Sequence, residues 1–258
     1  MKVATLNTNS IRARLPVVLD WLVREAPDIL FLQETKVQDR DFPLNPLKDA
    51  GYHAAFRGQK SYNGVAILSK SPLDNLQTSL PVLGVDEARF ISAGIGDISV
   101  INVYVPQGFQ AGSEKFQYKL AWLKNLLNHI TENFDPASRL LVAGDFNVAL
   151  TAIDVFDPQG LKGEVGFHPD EQAIFLELLN WGLVDIFRKH VKEDNQYTFW
   201  DYRIPNGFKR NMGWRIDYIL GTAPLAERSR TAWIDTGARA MEKPSDHTFL
   251  VAEFDSEN

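Results

Sequence analysis

The chain has 258 residues, 45% of them hydrophobic, and no stretch approaches the roughly 18 uncharged apolar residues that a membrane span needs. It contains no cysteine, which excludes disulfide bonds and thiolate metal sites and fits a reducing compartment. The formal net charge of −6 is unfavourable for binding a nucleic acid. It is a weak guide, however, because a divalent ion bound by clustered acids reverses the local electrostatic field. With no signal peptide at the N-terminus, we expect a cytoplasmic protein that does not enter a membrane.

Short runs rich in β-branched and aromatic residues recur along the chain, and most are bounded by Gly, Pro, Asn or Asp, as strands are. The predicted strands are Val3–Leu6, Ile29–Leu32, Gly64–Leu68, Arg89–Ala93, Ile98–Val105, Leu140–Ala143, Tyr197–Trp200, Ile216–Leu220, Thr231–Ile234 and Phe249–Phe254. Apolar residues at helical spacing predict three amphipathic helices between them, the second opening near Ser113 and the third at Pro169. Their apolar faces contain Leu15, Val18, Leu19, Leu22 and Val23; Phe116, Leu120, Leu123, Leu127 and Ile130; and Ile174, Leu178 and Trp181.

The connections between these elements indicate the fold class. Gly64–Leu68 and Ile98–Val105 reach their neighbours through short links, which indicates antiparallel pairing rather than strict alternation of strand and helix. We find no internal repeat, no low-complexity tract and no linker long enough to separate domains. Two mixed sheets packed face to face with helices outside would shelter this many strands, so we predict one α/β sandwich domain over residues 1–258.

Polar residues stand where the predicted strands end. These groups are Asn7-Thr8-Asn9, Gln33-Glu34-Thr35-Lys36, Pro106-Gln107-Gly108, Gly144-Asp145-Phe146-Asn147 and Ser245-Asp246-His247, while Asp217 lies inside an apolar run. Taken singly, each Asn or Asp is better explained as a turn former than as a catalytic residue. Glu34 alone fits a partly exposed acid paired with Lys36, and His247 alone fits a surface histidine. Taken together, they indicate a catalytic site built on strand ends.

The first part of this set suits metal-assisted phosphoester hydrolysis. Glu34, Asn7 and Asp246 supply the oxygen ligands that a hard divalent cation prefers. Asp145 is a candidate base for the attacking water. Hydrolysis of phosphate esters needs accelerations of about 10¹⁷ or more, so a metal, a base and several donors are all required.

The second part of the set supplies those donors. Asn147 and Tyr104 are neutral groups that can hold a phosphoryl oxygen as charge develops. Asp217 needs a partner in its apolar strand, and a pair with His247 would orient the imidazole and favour its protonated form.

Five segments resemble, in order, the motifs of the exonuclease III and abasic-site endonuclease family, within the wider endonuclease/exonuclease/phosphatase superfamily. They are Leu32-Gln33-Glu34-Thr35-Lys36, Tyr104-Val105-Pro106-Gln107-Gly108, Gly144-Asp145-Phe146-Asn147, Trp214-Arg215-Ile216-Asp217 and Lys243-Pro244-Ser245-Asp246-His247. Residues 181–188 and 197–203 resemble segments specific to the DNA-repair branch. The match spans nearly the whole chain, and five motifs in order are far more specific than any one of them.

The resemblance implies a four-layered α/β sandwich and a nuclease that uses Mg²⁺ or Mn²⁺ on double-stranded DNA with abasic sites or 3′ ends. It implies abasic-site incision and 3′→5′ exonuclease or 3′-end-trimming activity. The residues that it places at the metal are Asn7, Glu34 and Asp246, with Asp145 and Asn147 close by and Asn9 in support. It makes Asp145 the base, and it makes Tyr104 and His247 phosphate-binding groups.

Substrate contacts are expected from the aromatic and basic segment between Tyr197 and Arg215, which contains no acid after Asp201. By resemblance, the walls of a pocket for an abasic sugar are Phe199, Trp214 and Ile216. The basic side chains expected on DNA are Arg203, Lys209 and Arg210, beside Arg215 of the same segment. The same pattern is also compatible with core aromatic residues and a solvated loop.

Departures from the family pattern are few. Ser10 stands where the family commonly has Gly, which alters that turn, and Ile216 takes a position that other aliphatic residues also fill. The short N-terminus suggests the compact microbial form, and we expect a monomer acting on the nucleoid. Two alternatives stay open: a phosphatase or phosphodiesterase of the same superfamily acting on inositol phosphates or phospholipids, and a catalytically inactive DNA-binding scaffold.

Overall fold

Two mixed six-stranded sheets form the centre of the computed structural model, which describes residues 1–255. The strands are β1 Lys2–Asn7, β2 Ile29–Gln33, β3 His53–Arg57, β4 Val65–Ser69, β5 Asp74–Gln77, β6 Phe90–Ile95, β7 Ile98–Tyr104, β8 Leu140–Asp145, β9 Leu183–Asp185, β10 Asp217–Thr222, β11 Ser229–Asp235 and β12 Phe249–Phe254. One sheet has the order β11-β12-β1-β2-β4-β3, and the other has the order β5-β6-β7-β8-β10-β9.

Four helices cover the outer faces of the two sheets, and two short helices, the last two in chain order, pack against the core between the sheets. They are α1 Ile11–Glu25, α2 Leu44–Asp49, α3 Glu114–Asn133, α4 Pro169–Trp181, α5 Ile186–His190 and α6 Ala223–Ala226. The Ser113 hydroxyl caps α3 by accepting a hydrogen bond from the Phe116 amide at 3.2 Å, and Pro169 opens α4 at its first position. No helix within residues 1–255 combines the length and the apolar content needed to cross a membrane.

The layers follow from the alternation of side chains along each strand. In β1, Val3 faces the opposite sheet, whereas Ala4 and Leu6 pack against α1. In β8, Leu141 and Ala143 face the first sheet, whereas the other face packs under α3 and α4. The three apolar clusters therefore fill the three spaces between four layers, which confirms the predicted α/β sandwich.

Polar residues also lie between the two sheets, directly below one rim of the sandwich. The Asn102 amide donates to the carbonyl oxygens of Leu32 and Ala66 at 2.9 and 2.8 Å, and it accepts from the Gln33 amide at 2.7 Å. Gln33 in turn bonds the hydroxyl of Thr5. Since these buried groups satisfy one another, they fix how the sheets sit against each other where the site begins.

Most of the predicted elements are present, with ends that shift by a few residues. The short links between β3 and β4 and between β6 and β7 do produce antiparallel pairs, as predicted. The predicted strand Tyr197–Trp200 is wrong, because Phe199 makes only isolated bridges to Trp214 and His247 and has no continuous ladder. Val23 is also wrongly placed on the apolar face of α1, since it is 79% exposed.

Three short strands were not predicted from the sequence. They are β3, β5 and β9. The side chains of β5 are all exposed, so they show no alternation of apolar and polar residues. β9 has only three residues and continues directly into α5, which leaves no room for a periodic pattern.

The turn between β1 and α1 is strained at Ser10. Its φ is +94° and its ψ is 103°, a region that side chains with a Cβ rarely enter, and its side chain makes no capping hydrogen bond to α1. The conformation is held in place because the Ser10 amide donates to the Glu34 carbonyl oxygen at 2.8 Å. Serine at this position therefore leaves the turn intact and stores the cost as backbone strain.

Replacing Ser10 with glycine should stabilise the protein. Relief of the strain, less the extra entropy of glycine in the unfolded chain, should add about 1 kcal/mol to the free energy of unfolding. Thermal melting would show this as a rise of roughly 2–4 °C. Ser10→Ala is the matched control, since it removes the hydroxyl but keeps the Cβ. A glycine variant that melts no higher than the alanine variant would contradict the strain.

Candidate active site

Strand register brings the polar strand ends together at one rim. Asn7 pairs with Gln33 across β1 and β2, and Tyr104 pairs with Asp145 across β7 and β8. Asp217, the first residue of β10, stands directly opposite Asp145. By the two-residue period of a strand, these side chains continue the inner face of each sheet, where apolar residues give way to polar ones. The rim is therefore the polar end of the core between the sheets.

Asp145, Asp217 and His247 form the centre of this rim. All three are buried, and each offers a ligand atom within 4.8 Å of the others. The His247 Nδ1 donates to Asp217 Oδ2 at 2.8 Å, and its Nε2 lies 3.8 Å from Asp145 Oδ2. The Phe199 ring covers the imidazole at 4.8 Å between ring centroids. One imidazole thus stands between two carboxylates and is shielded from water.

Burial and charge act against each other on the imidazole. Burial alone would lower the pKa of His247, but the charges of Asp217 and Asp145 outweigh it and raise that pKa well above the usual value. For Asp145, burial is the largest effect and raises the pKa of the carboxyl, while the His247 cation pulls it down. The proton of the pair therefore belongs to His247, which leaves Asp145 as a carboxylate with raised basicity.

A second group of side chains joins the first sheet to this centre. The Asn7 amide nitrogen donates to Glu34 Oε1 at 2.7 Å and to Asp145 Oδ2 at 2.8 Å. The Lys36 ammonium lies 2.7 Å from Glu34 Oε2 and donates to Asn9 Oδ1 at 2.5 Å. Asn9 in turn donates to Asp246 Oδ1 at 3.0 Å. Asn7, Glu34, Asn9 and Asp246 are thus linked in one network.

This group has the chemistry of a site for a hard cation. Its acids offer carboxylate oxygens, and a chain without cysteine has no thiolate ligand. Burial alone would raise the pKa of Glu34, but hydrogen bonds from Lys36 and Asn7 overcome it and lower that pKa, so Glu34 is ionised. An ionised acid beside Asp145 calls for further positive charge. The donor set therefore fits a divalent metal.

Tyr104 and Asn147 flank Asp145 on either side. The Asn147 backbone amide donates to Asp145 Oδ1 at 2.9 Å, and its side-chain amide donates to the Val105 carbonyl oxygen at 2.9 Å. Burial, followed by the nearby charge of Glu34, raises the pKa of Tyr104 well above its usual value, so its hydroxyl keeps its proton. Both residues are therefore neutral hydrogen-bond donors.

A cavity of about 620 Å³ opens beside this centre. The three predicted walls, Phe199, Trp214 and Ile216, all line it, and so do Arg203 and Asn147. Trp214 and Phe199 hold each other through reciprocal backbone hydrogen bonds of 2.9 Å. Because Asn147 also contacts Asp145, the cavity and the acid–imidazole centre share a wall.

The basic residues predicted to contact DNA lie in different environments. Arg203 lies at the cavity and forms an ion pair with Asp201 at 2.6 Å. Lys209 and Arg210 are exposed and lie outside the cavity wall. Arg215 is not part of a basic surface at all, because it is buried between Asp154 at 2.7 Å and Asp185 at 2.8 Å. Its role is to hold the strand that carries Asp217.

Sequence reasoning missed one buried pair that braces the loops of the site. Lys119 of α3 is fully buried, lies 3.1 Å from Glu171 of α4, and donates to the Asn147 carbonyl oxygen at 2.7 Å. Glu171 accepts from the Gly166 amide at 2.9 Å. The signal was present in the sequence, since Lys119 occupies the apolar stripe of α3 three residues after Phe116.

Comparison with known proteins agrees with this geometry. The model of the endonuclease/exonuclease/phosphatase family matches residues 4–247. The chain is 36% identical to exodeoxyribonuclease III of Haemophilus influenzae, over 98% of this chain and 100% of that protein. An AP endonuclease structure from Archaeoglobus fulgidus is 45% identical with a TM-score of 0.96, over 99% of this chain and 100% of the other. The 3′ phosphatase NExo from Neisseria, bound to a product DNA hairpin, is 38% identical with a TM-score of 0.95 and the same coverage.

Family match, relatives and fold all agree. The strand-end motifs, in their order, also lie at one rim of the sandwich, as members of one catalytic site would. The chain therefore belongs to the endonuclease/exonuclease/phosphatase family, and within it to the group of exodeoxyribonuclease III and its abasic-site endonuclease relatives.

Proposed function

We propose that this chain is a divalent-metal-dependent DNA-repair nuclease that incises DNA at abasic sites and trims strands from their 3′ ends. The observation that carries the proposal is the shared wall between the acid–imidazole centre and the cavity, formed by Asn147. The apolar walls of the cavity, Phe199, Trp214 and Ile216, suit a flipped-out sugar that has lost its base. Its phosphate would then lie against Asp145 and His247.

The relatives support DNA as the substrate. Their names describe an exodeoxyribonuclease, an AP endonuclease and a 3′ phosphatase, and the last is bound to DNA. Action on inositol phosphates or phospholipids has no comparable support, and an inactive scaffold would have no need of the buried His247–Asp217 pair. We propose further that residues 1–258 act as one catalytic domain and as a monomer. We also propose that its substrate is nucleoid DNA in the cytoplasm.

In this mechanism, residues at the strand ends of the first sheet would hold the metal. Asn7, Glu34 and Asp246 would hold Mg²⁺ or Mn²⁺, with Asp145 and Asn147 close by. When bound, the ion offsets the negative charge of the phosphoryl group and orients it. Asn9 supports the arrangement through its hydrogen bond to Asp246 at 3.0 Å.

The chain's own residues carry the proton transfer. Asp145 takes the proton of the attacking water as the new bond to phosphorus forms and the bond from phosphorus to the leaving sugar oxygen breaks, and its raised basicity suits that role. The leaving oxygen takes up a proton from solvent. His247, kept protonated by Asp217, donates to a phosphoryl oxygen as negative charge grows. Tyr104 and Asn147 add neutral donors on the same side. Each such donor contributes roughly 10² to 10³ in rate.

The metal requirement can be tested at Glu34. Glu34→Gln keeps the shape of the side chain and removes its charge, so the half-saturating Mg²⁺ concentration should rise by about 10-fold or more. The measurement is the incision rate of an abasic duplex as Mg²⁺ is varied after metal stripping. Glu177→Gln, on the exposed face of α4, is the matched control. Full activity in excess EDTA would refute metal dependence.

The role of Asp145 can be tested by removing its ability to accept a proton. Asp145→Asn should lower turnover by roughly 10² to 10⁴, whereas DNA binding should persist because loss of a negative charge does not repel a phosphate. Single-turnover incision and fluorescence anisotropy would measure the two effects. Asp20→Asn on the exposed face of α1 is the control. If the variant cuts within a few-fold of wild type, His247 becomes the better candidate base.

Lesion recognition can be tested at Trp214. Trp214→Ala should lower incision of an abasic duplex more than hydrolysis of a small phosphodiester, because only the DNA substrate uses the cavity. Circular dichroism and a melting curve would verify the fold, since the backbone bonds between Trp214 and Phe199 do not need the side chain. Trp233→Ala, a partly buried tryptophan of β11, should affect both substrates alike. Equal losses in the Trp214 variant, or a collapsed melting transition, would remove the pocket assignment.

A further inference from the structure

Phe109 lies on the loop after β7 and is 68% exposed. Exposure of one apolar side chain carries no meaning by itself, because folded proteins expose many. The backbone of Phe109, however, has a φ of +63°, the left-handed region that a bulky side chain rarely occupies. The protein therefore bears both an exposed ring and a strained backbone at one position.

The strained loop is rigidly held. The Phe109 amide donates to Gln107 Oε1 at 2.7 Å, and the Gln110 amide donates to the Gly108 carbonyl oxygen at 2.8 Å. The buried Lys119 ammonium donates to the Gln107 carbonyl oxygen at 3.3 Å and thereby ties the loop to α3. A strained residue that its surroundings fix in place, without burying its side chain, indicates a functional position.

The position of the ring indicates what it contacts. Phe109 lines the same cavity as Trp214 and Asn147, so its ring stands beside the proposed place of the base-less sugar. The Lys115 ammonium lies 5.2 Å from the centre of the Phe109 ring and adds positive charge. An aromatic face next to a cation suits a nucleobase that is followed by its phosphate.

We propose that Phe109 stacks on the nucleobase next to the abasic site, in an inference that rests on the proposed function. A lost base leaves the faces of its neighbours without a stacking partner. An exposed ring held at the mouth of the cavity replaces one of those partners while the sugar enters the cavity. Phe109 is thus a specificity-determining contact that favours an abasic site with an intact neighbour.

A thermodynamic cycle on the DNA tests this contact. The binding affinities of wild type and Phe109→Ala are measured by fluorescence anisotropy in EDTA, on a duplex with one abasic site. Two further duplexes lack the neighbouring base as well, on the 5′ or on the 3′ side. Loss of one aromatic stacking contact should weaken binding of the first duplex by roughly 5-fold to 100-fold. On the duplex that lacks the base on which Phe109 stacks, wild type and variant should bind with equal affinity.

Further variants separate stacking from a structural role. Phe109→Tyr and Phe109→Trp should restore the affinity, since both keep an aromatic face. Phe109→Asn should bind DNA as weakly as the alanine variant but melt at or above the wild-type temperature, because asparagine tolerates the left-handed region. A melting temperature below wild type would show that the ring serves packing and would overturn the proposal. Val23→Ala, an exposed apolar residue of α1, is the control for both readouts.

The outcomes also distinguish this inference from the proposed function. If wild type neither binds nor incises the abasic duplex in Mg²⁺, the proposed function fails and the stacking contact fails with it. If wild type does both, but Phe109→Ala loses the same affinity on all three duplexes or none on any, only the stacking contact is refuted.

Discussion

The burial of two carboxylates directly opposite each other is the constraint on which the rest of this structure depends. Asp145 and Asp217 face one another across β8 and β10, and both are almost fully buried. Like charges in such a pair repel each other, and neither is solvated. The His247 cation contacts both carboxylates and offsets this repulsion. Removing one partner of a buried ion pair typically costs about 3–5 kcal/mol, so the imidazole is structural as well as chemical.

The rest of the rim follows from that constraint. Asn7 reaches across from the first sheet to donate to Asp145, and Asn147 donates to it from the following loop. The Asn102–Gln33 hydrogen bond lies deeper between the two sheets and fixes their relative position there. The candidate site, spread over strand ends of the two sheets, thus acquires fixed geometry although none of its predicted residues lies on a helix.

The sequence predicted the parts of this arrangement that local patterns reveal. Strands bounded by turn residues, with polar groups at their ends, are visible without a structure, and the short links around β4 and β7 set their antiparallel pairing. An acid such as Asp217 inside an apolar run needs a partner, and the partner predicted for it, His247, does donate to it. The number and links of the predicted strands favoured two sheets packed face to face with helices outside, and the match of motifs in order implied the four-layered form.

Other features could not be predicted, because their cause lies far away in the chain. Arg215 looked like part of a basic loop, yet Asp154 and Asp185 draw it into the interior. Residues 197–200 have the composition of a strand, but their neighbours offer only single bridges. In each case the deciding partner is more than a dozen residues distant, or is a single contact with no pattern.

The buried ion pairs around the candidate site depend on temperature in a different way from the apolar core. Lys119 with Glu171, and Arg215 with its two aspartates, hold the cavity loops and the Asp217 strand by charge, in addition to the apolar contacts of those loops. The cost of removing charged groups from water falls as temperature rises, whereas the stabilisation from apolar burial levels off. The framework of the site therefore gains relative to the apolar core on warming.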